Sequence, residues 1–208
     1  MTAHPDNIHV GIILAAGLSR RMGALKQVMP VPGDAARRPM VAMAYDALAP
    51  FCARMIVVLG HQAQAVRAAL DPRPFEPCDA RGETEMFESA KAGLRAAMRT
   101  ESRFAAGDNS PSLLLLPGDH PLVRPGTISL VLRIASERPD LAVMPEHRGR
   151  GGHPVVIPRA IVPRILDWNG PGGLRAFWLA HPKLALREPV EDPGAVRDFD
   201  SPKDIFEK

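Results

Sequence analysis

The stretch Leu14-Ala15-Ala16-Gly17-Leu18-Ser19-Arg20-Arg21-Met22-Gly23-Ala24-Leu25-Lys26 grows out of a continuous apolar run at residues 9–15. A run that is apolar throughout, rather than at every second position, suits a strand buried on both faces of a parallel sheet. Gly17 and Gly23 let the backbone turn tightly, and Ala15 and Ala16 leave room beside them. Backbone N–H groups in such a loop can cradle phosphate oxygens. Arg20, Arg21 and Lys26 bring cations to the same place, Arg as a planar fork and Lys as a mobile point charge. The loop therefore reads as a polyphosphate-binding turn. It is not a Walker A loop, and it lacks the GxGxxG spacing of dinucleotide sites. The competing local reading is an ordinary strand-to-helix turn with arginines on its surface.

Further apolar runs at 54–59, 113–116, 141–144, 155–157 and 184–186 read as strands. Helical patterns fall between and after them at 40–48, 62–70, 86–98, 127–136, 161–168, 174–180 and 203–207. Pro39, Pro125 and Pro202 stand where helices can begin. Strand alternating with helix predicts an α/β fold, a three-layer α/β/α sandwich around a mostly parallel, Rossmann-like sheet. In such sheets the ligand lies beyond the carboxyl ends of the strands. The polar stretch 100–111 is expected to be disordered.

Composition narrows the function. Hydrophobic residues make up 46% of the 208 and charged residues 24%, which excludes wholesale disorder. One domain spanning residues 1–208 is expected. The 26 basic and 23 acidic residues are scattered, and aromatics reach only 5%, so no nucleic-acid partner is expected. No apolar stretch approaches the ~18 residues of a membrane span, and the first nine residues hold no apolar run, so neither a membrane partner nor a signal peptide is expected. Two cysteines, Cys52 and Cys78, are too few for a disulfide framework, which points to a reducing cytoplasm.

Two segments carry carboxylates. The run 113–116 leads into Pro117-Gly118-Asp119-His120-Pro121, placing Asp119 at the end of a buried strand. A hard oxygen ligand there suits Mg²⁺, which commonly takes one or two carboxylates plus substrate phosphates. A helix cap or turn aspartate is the local alternative, and His120 reads as a turn histidine without a role. Near the end, Asp198 and Asp200 alternate in a strand-like segment and share a face. Asp200 or Ser201 could instead cap a last helix that has Pro202 in its first turn.

The first loop matches the pattern LAAGxSxRMGxxK at all nine fixed positions. It resembles the MobA-like nucleotidyltransferases, and among them the molybdenum cofactor cytidylyltransferases. The resemblance implies magnesium-dependent transfer of a nucleotidyl group with release of pyrophosphate. It implies a nucleotide held by Leu14, Ala15, Ala16, Gly17, Ser19, Arg21, Gly23 and Lys26, with Arg21 and Lys26 on the phosphates. Guanylyl-transferring members usually carry a second glycine where this chain has Ala16, which tilts the nucleotide towards CTP. Gly118, Asp119 and Pro121 match the family's GDxP, whose aspartate is a metal ligand. The closing segment resembles D-x-D-T-P-E-D except at Ser201 and Lys203, making Asp198 the first choice for a second metal ligand, ahead of Asp200.

On the acceptor side the matches thin. Arg150-Gly151-Gly152-His153-Pro154 resembles the family's RGHP with an extra glycine, which implies a role for His153; a glycine turn with a hydrogen-bonded histidine is the alternative. Asn169-Gly170-Pro171-Gly172-Gly173-Leu174-Arg175 opens a helix, and Gly172, Gly173 and Arg175 could hold a second phosphate. Where better-known cytidylyltransferases have G-M-S-S-S on the nucleotide's base and sugar, this chain has Glu85-Met86-Phe87-Glu88-Ser89. Met86 and Ser89 keep the frame; Glu85, Phe87 and Glu88 do not, so base recognition or the acceptor is expected to differ.

The implied small-molecule partners are a nucleoside triphosphate and a phosphorylated acceptor, first of all molybdopterin, with a molybdoenzyme or an insertion chaperone receiving the product. An acceptor phosphate oxygen is already anionic, so attack on the α-phosphorus needs alignment and charge neutralisation rather than a general base. Two other readings stay open: a non-catalytic nucleotide- or cofactor-binding module, and a nicotinamide oxidoreductase, against which the missing GxGxxG counts.

Overall fold

The structure, a computed structural model, describes residues 9–17, 25–80, 85–99 and 111–199. Ser19, Arg20, Arg21, Gly23 and Asp200 lie outside the described residues, as do positions 100–110 and the expected helix at 203–207.

The elements in chain order are β1 (His9–Ala15), α1 (Met40–Leu48), β2 (Cys52–Leu59), α2 (Ala63–Leu70), β3 (Glu76–Asp79), α3 (Met86–Met98), β4 (Leu113–Pro117), α4 (Pro125–Glu137), β5 (Ala142–His147), β6 (Arg150–Gly151), β7 (Val155–Ile157), α5 (Val162–Asp167), α6 (Gly173–Ala180) and β8 (Ala185–Pro189). Among the described residues they form an eight-stranded sheet in the order β3-β2-β1-β4-β7-β5-β6, with β8 paired to β5. Strands β3, β2, β1 and β4 are mutually parallel, and β8 runs parallel to β5. Strand β7 is antiparallel to both β4 and β5, which makes the sheet mixed.

The continuous apolar runs become the centre of the sheet. β4 is buried along its whole length, and β1 from Val10 onward. Period-2 alternation then divides the side chains between two cores. Val10, Ile12 and Leu14 face α3, α5 and α6. Ile13 and Ala15 face α1, α2 and α4. The result is the three-layer α/β/α sandwich. Each fully buried Leu or Ile contributes roughly 1.5–3 kcal/mol of transfer free energy.

Gly93, in the middle of α3, shows how tightly one layer sits. A Cβ there would meet Ile12 Cγ2 at 2.7 Å and Val58 Cγ2 at 2.9 Å. Glycine ordinarily weakens a helix interior, and here it lets α3 lie directly on β1 and β2.

Two strands escaped the sequence reading. β3 is an edge strand of sequence Glu-Pro-Cys-Asp, mostly exposed and held by β2 alone. It has no apolar run to reveal it, and Pro77 is tolerated because the edge needs fewer donors. β6 is only two residues long.

Candidate functional site

The site begins where β1 and β4 end side by side, with Leu14 opposite Pro117 in register. The Gly118 N–H donates to the Leu14 carbonyl at 2.9 Å, joining the two strand-end turns. Leu14 points to the α3 side of the sheet, Ala15 to the other, and Ala16 is buried against Gly60. Gly17 is exposed. Its carbonyl accepts from Nε2 of the buried Gln27 at 3.3 Å, so the departing and returning ends of the first loop are tied together.

Lys26 returns the loop into a short 3-10 turn, Lys26–Val28. Its Nζ lies 2.5 Å from Oδ2 of Asp119, and both side chains are nearly enclosed. Two residues 93 positions apart in sequence thus form one ion pair at the carboxyl ends of neighbouring strands. Among the described residues no group of three or more His, Cys, Asp or Glu could hold a metal by itself. A single hard carboxylate nevertheless fits Mg²⁺ or Mn²⁺, which bind through one or two carboxylates together with substrate phosphates.

The segment bearing Asp198 is wedged against this end. Asp192 is 2% exposed and accepts from the Arg124 N–H at 3.0 Å, the Thr127 hydroxyl at 2.6 Å and the Gly194 N–H at 2.9 Å. It thereby pins the segment to the first turn of α4. The His153 N–H donates to the Ala195 carbonyl at 2.8 Å, and Phe199 packs with Val31 and Met40. Asp198 is half-buried between these anchors. The expected strand is absent here: a 3-10 turn, Pro193–Ala195, is followed by irregular backbone up to Phe199.

A cavity of about 370 Å³ opens on the α3 side. Six residues singled out in the sequence line it: Leu14, Met86, His153, Gly172, Gly173 and Arg175. Ser89 does not; it is buried one turn inside α3. Gly172 and Gly173 open α6 with φ of +89° and +66°, a left-handed conformation that side chains disfavour. A Cβ on Gly173 would touch Phe87, so α6 starts in contact with the wall that α3 provides.

Three lining residues went unnoticed in the sequence: Phe87 as a wall, Trp178 and Arg187. Trp178 stands one helical turn beyond Arg175, a spacing that could have flagged it. Arg187 reaches the cavity only because β8 joins β5, and it lies 3.5 Å from Glu146. None of the described lining residues is acidic.

His120 is also a surprise. It is buried, and its ring stands edge-on to that of His153 with centroids 4.8 Å apart. Burial, with His120 alongside, pushes the His153 imidazole down to about 3, against a hydrogen bond to the Leu115 carbonyl that favours protonation. His153 is therefore a neutral part of the cavity wall, and among the described lining residues the positive charge comes from Arg175 and Arg187. Burial pushes the Cys52 thiol up to about 12, which makes it an inert core group.

The chain is 26% identical to the molybdenum cofactor cytidylyltransferase of Escherichia coli K12 over 200 residues, 94% of this chain and 92% of that one. It is 28% identical to the nicotine blue oxidoreductase of Paenarthrobacter nicotinovorans over 202 residues, 94% of each. Its fold matches the structure of Rv0371c from Mycobacterium tuberculosis in complex with manganese, with a TM-score of 0.68, 22% identity and 95% of each chain covered. The model of the MobA-like NTP transferase domain matches residues 11–184, from within β1 through the Asp119 turn to just beyond the cavity's helix α6. The chain belongs to the MobA-like NTP transferase domain family.

Proposed function

We propose that the protein acts as a single-domain, divalent-metal-dependent nucleotidyltransferase that moves NMP from CTP to a phosphorylated small acceptor, with molybdopterin as the leading candidate. The observation that carries the proposal is the Lys26–Asp119 pair together with a cavity whose described lining includes two arginines and no acidic residue. The triphosphate takes the loop from Leu14 to Lys26, with Lys26 and Arg21 neutralising its charge. Ala15, Ala16, Gly17, Ser19 and Gly23 contribute backbone donors and closeness, and Met86 borders the base. Asp119 and Asp198 hold the metal, magnesium in the cell; the manganese of a structural relative supports a divalent ion. Bound there, it supplies charge neutralisation on the α-phosphate and the leaving pyrophosphate. The acceptor lies in the cavity, its phosphate on Arg175 and the amides at Gly172 and Gly173. His153, being neutral, excludes water and shapes the wall rather than pairing with phosphate. The cytoplasm is the proposed location, with a molybdoenzyme or insertion chaperone receiving the product.

A second reading has its own support. The relative named as an oxidoreductase covers the chain as fully as the cytidylyltransferase does, and the cavity's aromatic walls, Phe87 and Trp178, suit a flat redox-active ring.

Thermal unfolding with CTP, GTP, ATP and UTP, with and without magnesium, tests both. A nucleotide at about 100 times its dissociation constant stabilises the fold by roughly 2.7 kcal/mol. A magnesium-dependent shift largest with CTP, followed by pyrophosphate release on adding molybdopterin, is expected. A larger shift with another nucleotide would redirect base and acceptor. Stabilisation by NADH or NADPH with none by nucleoside triphosphates would favour the oxidoreductase, and nucleotide binding without pyrophosphate release a binding module.

A further inference from the structure

Helix α3 begins Met86-Phe87-Glu88-Ser89, where the chain departs from the cytidylyltransferase pattern, and places Lys91 one turn later. Lys91 is 3% exposed. Its Nζ donates to the Trp168 carbonyl at 2.7 Å, lies 3.1 Å from Oε1 of Glu88 and sits 4.6 Å from the centre of the Phe87 ring. An ammonium buried this deeply is costly unless its donors are met. Here two oxygens and an aromatic face meet them. Trp168 follows α5 and starts the segment 168–173, which delivers Gly172, Gly173 and Arg175 to the cavity. One side chain therefore ties the α3 wall to the wall that α6 begins, across 77 residues of sequence.

We infer that Lys91 is a positioning residue for the cavity. It sets how far the 168–173 segment stands from α3, and so where Gly172, Gly173 and Arg175 meet a ligand. Phe87 and Glu88 hold Lys91, which gives the departures at these two positions a task on the acceptor side rather than on the nucleotide's base. The inference rests on the reading of the cavity as a ligand site, and not on which reaction occurs there.

The chain has two tryptophans, Trp168 and Trp178, and both belong to this region, so tryptophan fluorescence, excited beyond the absorption of Tyr45, reports on it alone. The probe is 1-anilinonaphthalene-8-sulfonate, a flat aromatic anion matched to the apolar walls and arginines, read by energy transfer from Trp178. Lys91→Met keeps the apolar stem and removes the donors. It should weaken binding of the probe about tenfold and raise acrylamide quenching about twofold, while magnesium–CTP affinity changes less than twofold. Unchanged probe affinity overturns the inference. So does an equal loss of probe and CTP affinity, which marks a general structural defect, and so does a wild type that binds no probe. Should Lys91→Met fail to fold, Glu88→Gln decides. It lies outside the cavity lining and removes the ion pair alone; about a twofold loss of probe affinity is expected, and no change overturns the inference. A wild type that binds the probe but no nucleotide, with these effects intact, sinks the proposed reaction and leaves the role of Lys91 standing.

Discussion

At the proposed phosphate end of the site, the charged residues follow neighbouring parallel strands, and Lys26 meets Asp119 at 2.5 Å. At the cavity end, residues from β1, α3, the turn before β7, α6 and β8 converge on a largely apolar space. The first is charged and built from short contiguous motifs. The second is assembled by packing, with the charges of its described lining at Arg175 and Arg187 and a neutral His153 in its wall. The difference teaches where each kind of specificity is stored. A phosphate needs a few donors at fixed spacing, which adjacent strand ends supply. An organic acceptor needs a shape, which only distant segments can enclose.

The largest expected effect breaks the phosphate end alone. Asp119→Ala should lower turnover by about 10³-fold, read as pyrophosphate release, with a loss of melting temperature, from leaving the nearly enclosed Lys26 unpaired, that leaves the protein folded at the assay temperature. Full activity in magnesium would erase the distinction between a charged and a packed half. Lys26→Ala should weaken triphosphate affinity about tenfold in a titration followed by calorimetry; unchanged affinity would show that the first loop does not cradle phosphate. The converse variant, Arg175→Ala, should raise the acceptor's KM several-fold, on the order of the loss of one charge-assisted hydrogen bond, and leave the nucleotide's KM alone. An effect on both constants would mean that the two ends are one pocket.

The smallest effect concerns His153 in the cavity wall. The His153 imidazole sits at about 3 in the fold against an ordinary 6.5, so the unfolded chain binds the extra proton between these values. That contribution to stability is fully present above about pH 6.5 and is lost as pH falls towards 3. Chemical denaturation should register a loss of about 1–2 kcal/mol between about pH 6.5 and pH 5. His153→Phe should flatten that slope, and an unaltered slope would place the titration elsewhere.

Much of this was legible because the central strands bury both faces and so announce themselves as unbroken apolar runs. β1 and β7 begin and end where the apolar pattern does, and so do α1 and α3. β3 was invisible because an edge strand needs one neighbour and no apolar face, and Glu76 there is held by Arg54 instead. In the candidate site, Asp119 and Lys26 were singled out from motif and spacing, and the structure brings the two together as an ion pair. His120 read as a turn residue, yet it is buried against His153, a partner 33 positions away. Trp178 and Arg187 were missed because their role depends on which face α6 presents and on where β8 joins the sheet. Phe87 and Glu88 pointed to a change in base recognition or in the acceptor, and their contacts to Lys91, which no local pattern reveals, are what the inference for the acceptor side rests on.

The amino-acid sequence by itself determined the α/β alternation, the first loop and the carboxylate at the end of β4. These follow from short-range periodicity, glycine placement and residue chemistry within a few positions. Only the tertiary structure decided that β7 enters antiparallel between β4 and β5, that Lys26 reaches Asp119, and that Lys91 clasps Trp168. Each of those contacts joins segments far apart in the chain, and its geometry comes from the packing of two cores around one sheet rather than from any local pattern.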